Sequence, residues 1–362
     1  MYKKELLYLF ATALLLITSY QDALLGRSAW RKKLENTPTI TTQWVHDQQQ
    51  KSYTISSAHI EKYPLFTIFN QAHFNQHKLS QESLQYCANG QTLYVDSRLL
   101  MELCEELVQE IAAKKKKFTH FTILQKKNFN RRHMCGLLVV KFNDYPFVVK
   151  LFIENPQSLI NYWCKGFEPI FFWNMGGGAG RHVCGLTRIG NRAIIQDRLS
   201  HTPFDVATID IPRKWFWEPQ NNTYINIHGT NIGARRETCT TQLPGMYAII
   251  ADYVTIRDNT RLSAEEKQHI SMKLCNHLDL IIDPHANNYI FNTDEAHKLH
   301  ITLIDTEYFP VMVGLKKRKK FASHFEWYTY LIEKCTHDMF YQPKHIRLSS
   351  DTQPNELLFQ YL

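Results

Sequence analysis

The stretch LDLIIDPHANNYIFNTDEAHKLHITLIDTEYF, residues 278–309, decides how this chain is read. Within it Asp283 and Asn288 stand five residues apart in DPHANN, between a helical pattern that ends at Leu278 and an apolar run, Tyr289 to Phe291. A second apolar run, Ile301 to Ile304, ends in Asp305. Short β-branched and aromatic runs read as strands. The two carboxylates and the amide therefore sit on a loop and at a strand end, each steadied by a rigid element, where site residues are usually found.

Working upstream, three runs carry strand composition: FTHFTILQ from Phe118, GLLVVKFND from Gly136, and YPFVVKLFIE from Tyr145. Asn143-Asp144 followed by Tyr145-Pro146 predicts a hairpin turn between the second and third. A basic loop, Lys126 to Arg132, separates the first two, and Lys150 falls in the middle of the third. Next come a predicted helix over Leu159 to Trp173, the glycine cluster MGGGAG from Met175 to Gly180, and two further predicted strands, CGLTRIG and RAIIQDRL. Residues 201–240 read as irregular. From Gly245 the pattern is helical again, first MYAIIADYVTI, then Ser263 to Leu278, where Ser263 and Glu266 form an S-x-x-E capping box. Phe325 to Met339 reads as a helix and the tail as polar.

Before the strands, Ser57 to Lys117 is predicted helical, most clearly over Ser97 to Ala113 with apolar positions at Leu99, Leu103, Leu107 and Ile111. Residues 21–55 are polar and rich in Gln and Thr, a lead-in. Lys3 and Lys4 precede an apolar run, Leu6 to Tyr20, which has the length and flanks of a signal peptide or uncleaved signal anchor. Export or membrane anchoring is the expectation. The boundaries are thus 1–25 for the signal, 26–117 for the lead-in and helical extension, 118–200 for a strand-rich unit, and 201–362 for a mostly helical one.

The 362 residues are 44% hydrophobic and 21% charged, which describes a globular chain rather than a disordered one. The net charge of +8 is concentrated in Lys114 to Lys117 and Lys316 to Lys320. Neither run is interleaved with regularly spaced aromatics, and no zinc-finger or RNA-recognition signature occurs, so nucleic acid is not an expected partner. The eight cysteines are spread singly with no CxxC pair, which argues against structural zinc. No G-x-S-x-G and no H-E-x-x-H occurs, which disfavours hydrolase and zincin chemistry.

The spacing of Asp283 and Asn288, the aspartate closing LID, and Lys150 in FVVKLF together resemble the protein-kinase-like superfamily. LIDTEY is similar to the motif of choline kinases and aminoglycoside phosphotransferases, where a glutamate replaces the glycine of the metal-binding motif. The resemblance covers residues 118 to about 340 in order and suits an exported bacterial-type member. It implies an α+β, two-lobed kinase-like fold: an antiparallel five-stranded first lobe, a mostly helical second lobe, and an N-terminal helical extension. It also implies an ATP- and magnesium-dependent phosphotransferase, with manganese as the alternative ion. On this likeness Asp283 is the catalytic base, Asn288, Asp305 and Glu307 hold metal, and Lys150 pins the phosphates. Glu168, 18 residues after Lys150, is the expected ion-pair partner of that lysine, with Glu154 as the alternative.

The chain departs from the pattern at two places. Ile281-Ile282 stand where the loop histidine belongs, and no G-x-G-x-x-G lies between the first two strands; Lys127, Arg131 or Arg132 would contact phosphate by charge instead. His285 reads as a loop hydrogen-bonder, and MGGGAG as a close-packed turn rather than a phosphate cradle. The expected partners are a nucleotide and an unidentified hydroxyl acceptor (protein, glycan or small molecule), with membrane association through Leu6 to Tyr20. Two other readings stand beside this one: a kinase-shaped binding module without turnover, and an exported interaction protein whose motifs match by chance.

Overall fold

The computed structural model describes residues 71–154, 179–308 and 320–330, save for 81, 89, 127–128, 132–133, 233–236, 256–258 and 328, and the backbone of strands at 39–46, 49–56, 345–350 and 353–360. In chain order the elements are strands β1 (Thr39–His46) and β2 (Gln49–Ser56), helix α1 (Gln71–Gln76), strands β3 (Ser83–Ala88) and β4 (Gln91–Asp96), and helix α2 (Ser97–Ala112). Strands β5 (Phe121–Gln125), β6 (Phe129–Asn130), β7 (Cys135–Phe142) and β8 (Phe147–Ile153) lead to helix α3 (Ala179–His201). Then come β9 (Thr208–Asp210), β10 (Lys214–Trp217), β11 (Tyr224–Ile232), β12 (Glu237–Pro244), β13 (Met246–Asp252) and helix α4 (Ala264–His277). A single 3-10 turn (Ala286–Asn288) precedes β14 (Tyr289–Thr293), β15 (Leu299–Leu303), β16 (His345–Ser350) and β17 (Gln353–Gln360). The protein is a mixed α+β chain built on antiparallel sheets.

One sheet runs β10-β13-β8-β7-β5, with β6 pairing β7. Its three sequence-predicted strands are present, and β7 and β8 pair antiparallel around Asn143-Asp144, with Val139 opposite Lys150. The other two strands differ from expectation. CGLTRIG and RAIIQDRL lie inside α3, and their places in the sheet are taken by β10 and β13. The predicted helix over MYAIIADYVTI is the strand β13, flanked by β8 and β10 and buried over Tyr247 to Ala251. An apolar run buried on both faces carries no period by which helix and strand can be told apart.

The helical reading of 57–117 holds over α1 and α2, while residues 57–70 lie outside the described residues. Residues 83–96 form the β3–β4 hairpin, closed through Gly90 at φ +75°, a left-handed conformation that glycine adopts without steric cost. Asp96 caps α2 by accepting from the Arg98 amide at 2.8 Å. The buried stripe is Leu100, Cys104, Leu107 and Ile111, packed with Leu138, Val140, Phe142, Val149 and Leu151 of the sheet. It is turned from the expected Leu99–Leu103 side, and Leu99 is exposed. The lead-in and tail contribute strands too: β1, β2, β11, β12, β16 and β17 share one six-stranded sheet, so 201–240 is not irregular throughout.

A second core gathers Met272, Leu274 and Cys275 of α4, Ile281 and Ile282, Tyr289 and Phe291 of β14, Ile301 and Leu303 of β15, and Cys184 and Ile195 of α3. The Ser263–Glu266 capping box is present, with Ser263 N donating to the Glu266 carboxylate at 2.7 Å and Glu266 N to Ser263 Oγ at 3.2 Å. The predicted Leu6–Tyr20 signal, the helix over Leu159 to Trp173 with Glu168, and the chain from 331 to 344 lie outside the described residues. Among the described residues no helix is long and apolar enough to cross a membrane.

Candidate functional site

Along β8 side chains alternate between faces. Val149 and Leu151 enter the sheet core, which sends Lys150 to the other side. Along β15, Ile301 and Leu303 enter the second core. The strand is then held by an Ile304 N to Asn288 O bond of 3.0 Å, just before Asp305. Lys150 and Asp305, 155 residues apart, meet at 3.2 Å from Nζ to Oδ2.

Sequence reasoning did not identify the residues that surround this pair. Helix α3 packs across β7 and β8 and delivers Arg188, only 2% exposed, to the same carboxylate. Its Nε donates to Asp305 Oδ1 at 2.8 Å, and its Nη2 donates to Asp305 Oδ2 at 3.2 Å and to Glu307 Oε2 at 2.8 Å. The guanidinium lies over the Phe152 ring, 5.3 Å from the centroid. One turn on, Asn191 Nδ2 bridges the carbonyls of Ile281 at 2.9 Å and Thr306 at 3.0 Å. Thr306 Oγ1 donates to the Arg188 carbonyl at 2.6 Å and accepts from Lys214 Nζ at 2.7 Å. Thr187 Oγ1 accepts from Tyr308 N at 2.9 Å. Helix α3 is thus bonded to the DTEY segment from end to end.

The glycines of α3 explain how it comes so close. A Cβ on Gly185 would stand 2.7 Å from Phe152 Cε1, inside contact distance. Tyr247 crosses the same place, donating its hydroxyl to the His182 carbonyl and stacking on Phe152 with centroids 4.8 Å apart.

Charge distribution follows from this packing. Burial alone would raise the Asp305 pKa, but the charges of Arg188 and Lys150 outweigh it and hold the carboxyl well below the usual carboxylate range. Burial pulls the Lys150 ammonium down, and Asp305 opposes that pull. Lys214 is drawn further below its ordinary value, by burial first and then by Lys150. Lys150 and Arg188 thus pair with the carboxylates of Asp305 and Glu307, while Lys214 bonds to the Thr306 hydroxyl beside them.

The Asp283 loop is fixed mostly through its backbone. Cys275 Sγ donates to Ile282 O at 3.0 Å, while Tyr289 Oη donates to Asp283 O at 2.9 Å and Asn288 Nδ2 to the same carbonyl at 3.4 Å. The Asp283 carboxylate accepts from His285 N at 3.0 Å. His285 Nδ1 accepts from Asn287 N at 3.1 Å, so this histidine stabilises the loop by capping the 3-10 turn. The buried Ile281 and Ile282 anchor the segment in the second core. The loop is entered through Asp279 and Leu280 at φ +54° and +62°, a left-handed pair held by Leu280 N to Cys275 O at 2.7 Å and Arg198 Nη1 to Leu278 O at 2.6 Å.

Of the remaining expected residues, Glu154 is buried at the end of β8, its amide on Gly245 O at 2.9 Å. Glu168, Lys127 and Arg132 lie outside the described residues, and Arg131 is exposed. The expected metal ligands supply the hard oxygen donors that magnesium takes, but both Asp305 oxygens and Glu307 Oε2 are already held by the Arg188 fork. In this arrangement the donor set does not fit a divalent cation.

No protein-family model, no curated protein and no solved structure matches the chain.

Proposed function

We propose that residues 118 onward form a two-lobed, kinase-like unit that binds ATP and transfers its terminal phosphoryl group to a hydroxyl acceptor. The observation that carries this reading is the ion pair between Lys150 and Asp305 at 3.2 Å, which links the middle strand of the sheet to the strand end beside the Asp283 loop. The strand order β10-β13-β8-β7-β5, with α3 between β8 and β10 in sequence, supports a first lobe of this kind. The α4–loop–β14–β15 sequence supports the second.

On this reading Lys150 and Arg188 draw in the phosphates by charge, and Asp305 keeps both cations oriented. Asp283 takes the proton of the acceptor hydroxyl as its oxygen bonds to the terminal phosphorus, the bond from that phosphorus to the bridging oxygen breaks, and ADP leaves with that oxygen. The test is ADP release and transfer of labelled phosphate by the purified protein, with and without Asp283→Asn. Transfer reduced by about 10²-fold or more in the variant is the expected result. Arg188 on Asp305 favours a second reading, a nucleotide-binding module without turnover; ATP binding with no transfer to any acceptor, water included, would establish it.

A further inference from the structure

We infer that this site takes its nucleoside triphosphate as the free anion, without a divalent cation, because the Arg188 guanidinium already holds both Asp305 oxygens and Glu307 Oε2. The inference rests on the nucleotide-binding reading above and goes beyond it. Arg188 is no loose surface strap. It is 2% exposed, rests on the Phe152 ring, and its own carbonyl is tied to Thr306 Oγ1 at 2.6 Å. Asn191, three residues further along α3, pins the same face to Ile281 and Thr306. Withdrawing the guanidinium to admit an ion would mean moving the helix or stranding a buried charge.

Charge and hydrogen bonding point the same way. Arg188 is already paired with both carboxylates and Lys150 with Asp305, so a dication would have to displace a buried cation, whereas a polyphosphate meets Lys150 and Arg188 with attraction. Arg188 Nη1 is buried with no acceptor from the protein. A phosphate oxygen satisfies such a donor, and a cation cannot.

The test is ATP binding to the full chain by calorimetry in excess EDTA, in magnesium and in manganese. The wild-type Kd in EDTA is expected within about threefold of its value with either metal. Binding weaker by about tenfold or more in EDTA overturns the inference and leaves the nucleotide reading standing. No binding under any condition overturns both. Arg188→Gln, which frees the two carboxylates, is expected to bind ATP more weakly in EDTA and to recover with magnesium; a variant indistinguishable from wild type in all three conditions also counts against the proposal. Should that variant not fold, the wild-type comparison decides alone.

Discussion

Burial of ionisable side chains around helix α3 gives the molecule a pH dependence that can be traced to single residues. His182 is buried, its Nε2 donating to the Pro244 carbonyl at 2.6 Å, and burial lowers its pKa to about 4. A histidine whose folded pKa lies below its unfolded value contributes stability above about pH 6.5 that is lost as pH falls towards 4. The full difference is worth roughly 3 kcal/mol. Burial lowers His324 and His285 as well and adds to the same slope. In denaturant titrations at several pH values, His182→Gln, which keeps the donor to Pro244, is expected to flatten the loss of stability between about pH 6.5 and 4. An unchanged slope would remove His182 from the account.

At the scale of elements, α3 shows what could and could not be seen in advance. The Lys150 and Asp305 positions were legible because each sits in a short apolar run whose period or end fixes where the side chain points. The α3 sequence misleads because CGLTRIG and RAIIQDRL are rich in branched apolar residues, and Gly185 and Gly190 weaken any helical expectation. Those glycines serve close approach, to Phe152 and Tyr247 at the first and to His73 at the second. A signal was present: Thr187, Arg188, Asn191, Arg192 and Arg198 recur near helical spacing, and all five bond to backbone or carboxylate elsewhere in the fold. Lys150 pairs with Asp305, and α3 brings an arginine to the same carboxylate. Asn191→Ala should leave two buried carbonyls, Ile281 and Thr306, without this donor. A loss of about 1–3 kcal/mol in unfolding free energy is expected from urea titration. A change under about 0.5 kcal/mol would mean that α3 does not hold the two segments together.

Across the whole molecule, Lys150 is rooted in one core and Asp305 follows directly from another. Val149 and Leu151 pack with α2 and the sheet, and Ile301 and Leu303 pack with α4 and the Asp283 segment. Helix α3 bridges the two, sending Cys184 and Ile195 into the second core while it packs on β7 and β8. Strand β13 is read as helix because its apolar run is buried on both faces, and strands β1 and β2 escape notice because the polar, Gln- and Thr-rich lead-in carries no period strong enough to mark them. Nucleotide binding at the Lys150–Asp305 junction is the step on which the proposed transfer depends. Calorimetric titration of ATP into wild type and Lys150→Met tests it most directly, since Asp305 keeps its Arg188 partner in the variant. The account predicts saturable one-site binding to wild type, weakened by about tenfold or more in the variant. No binding to wild type, or equal affinity in both proteins, would contradict it.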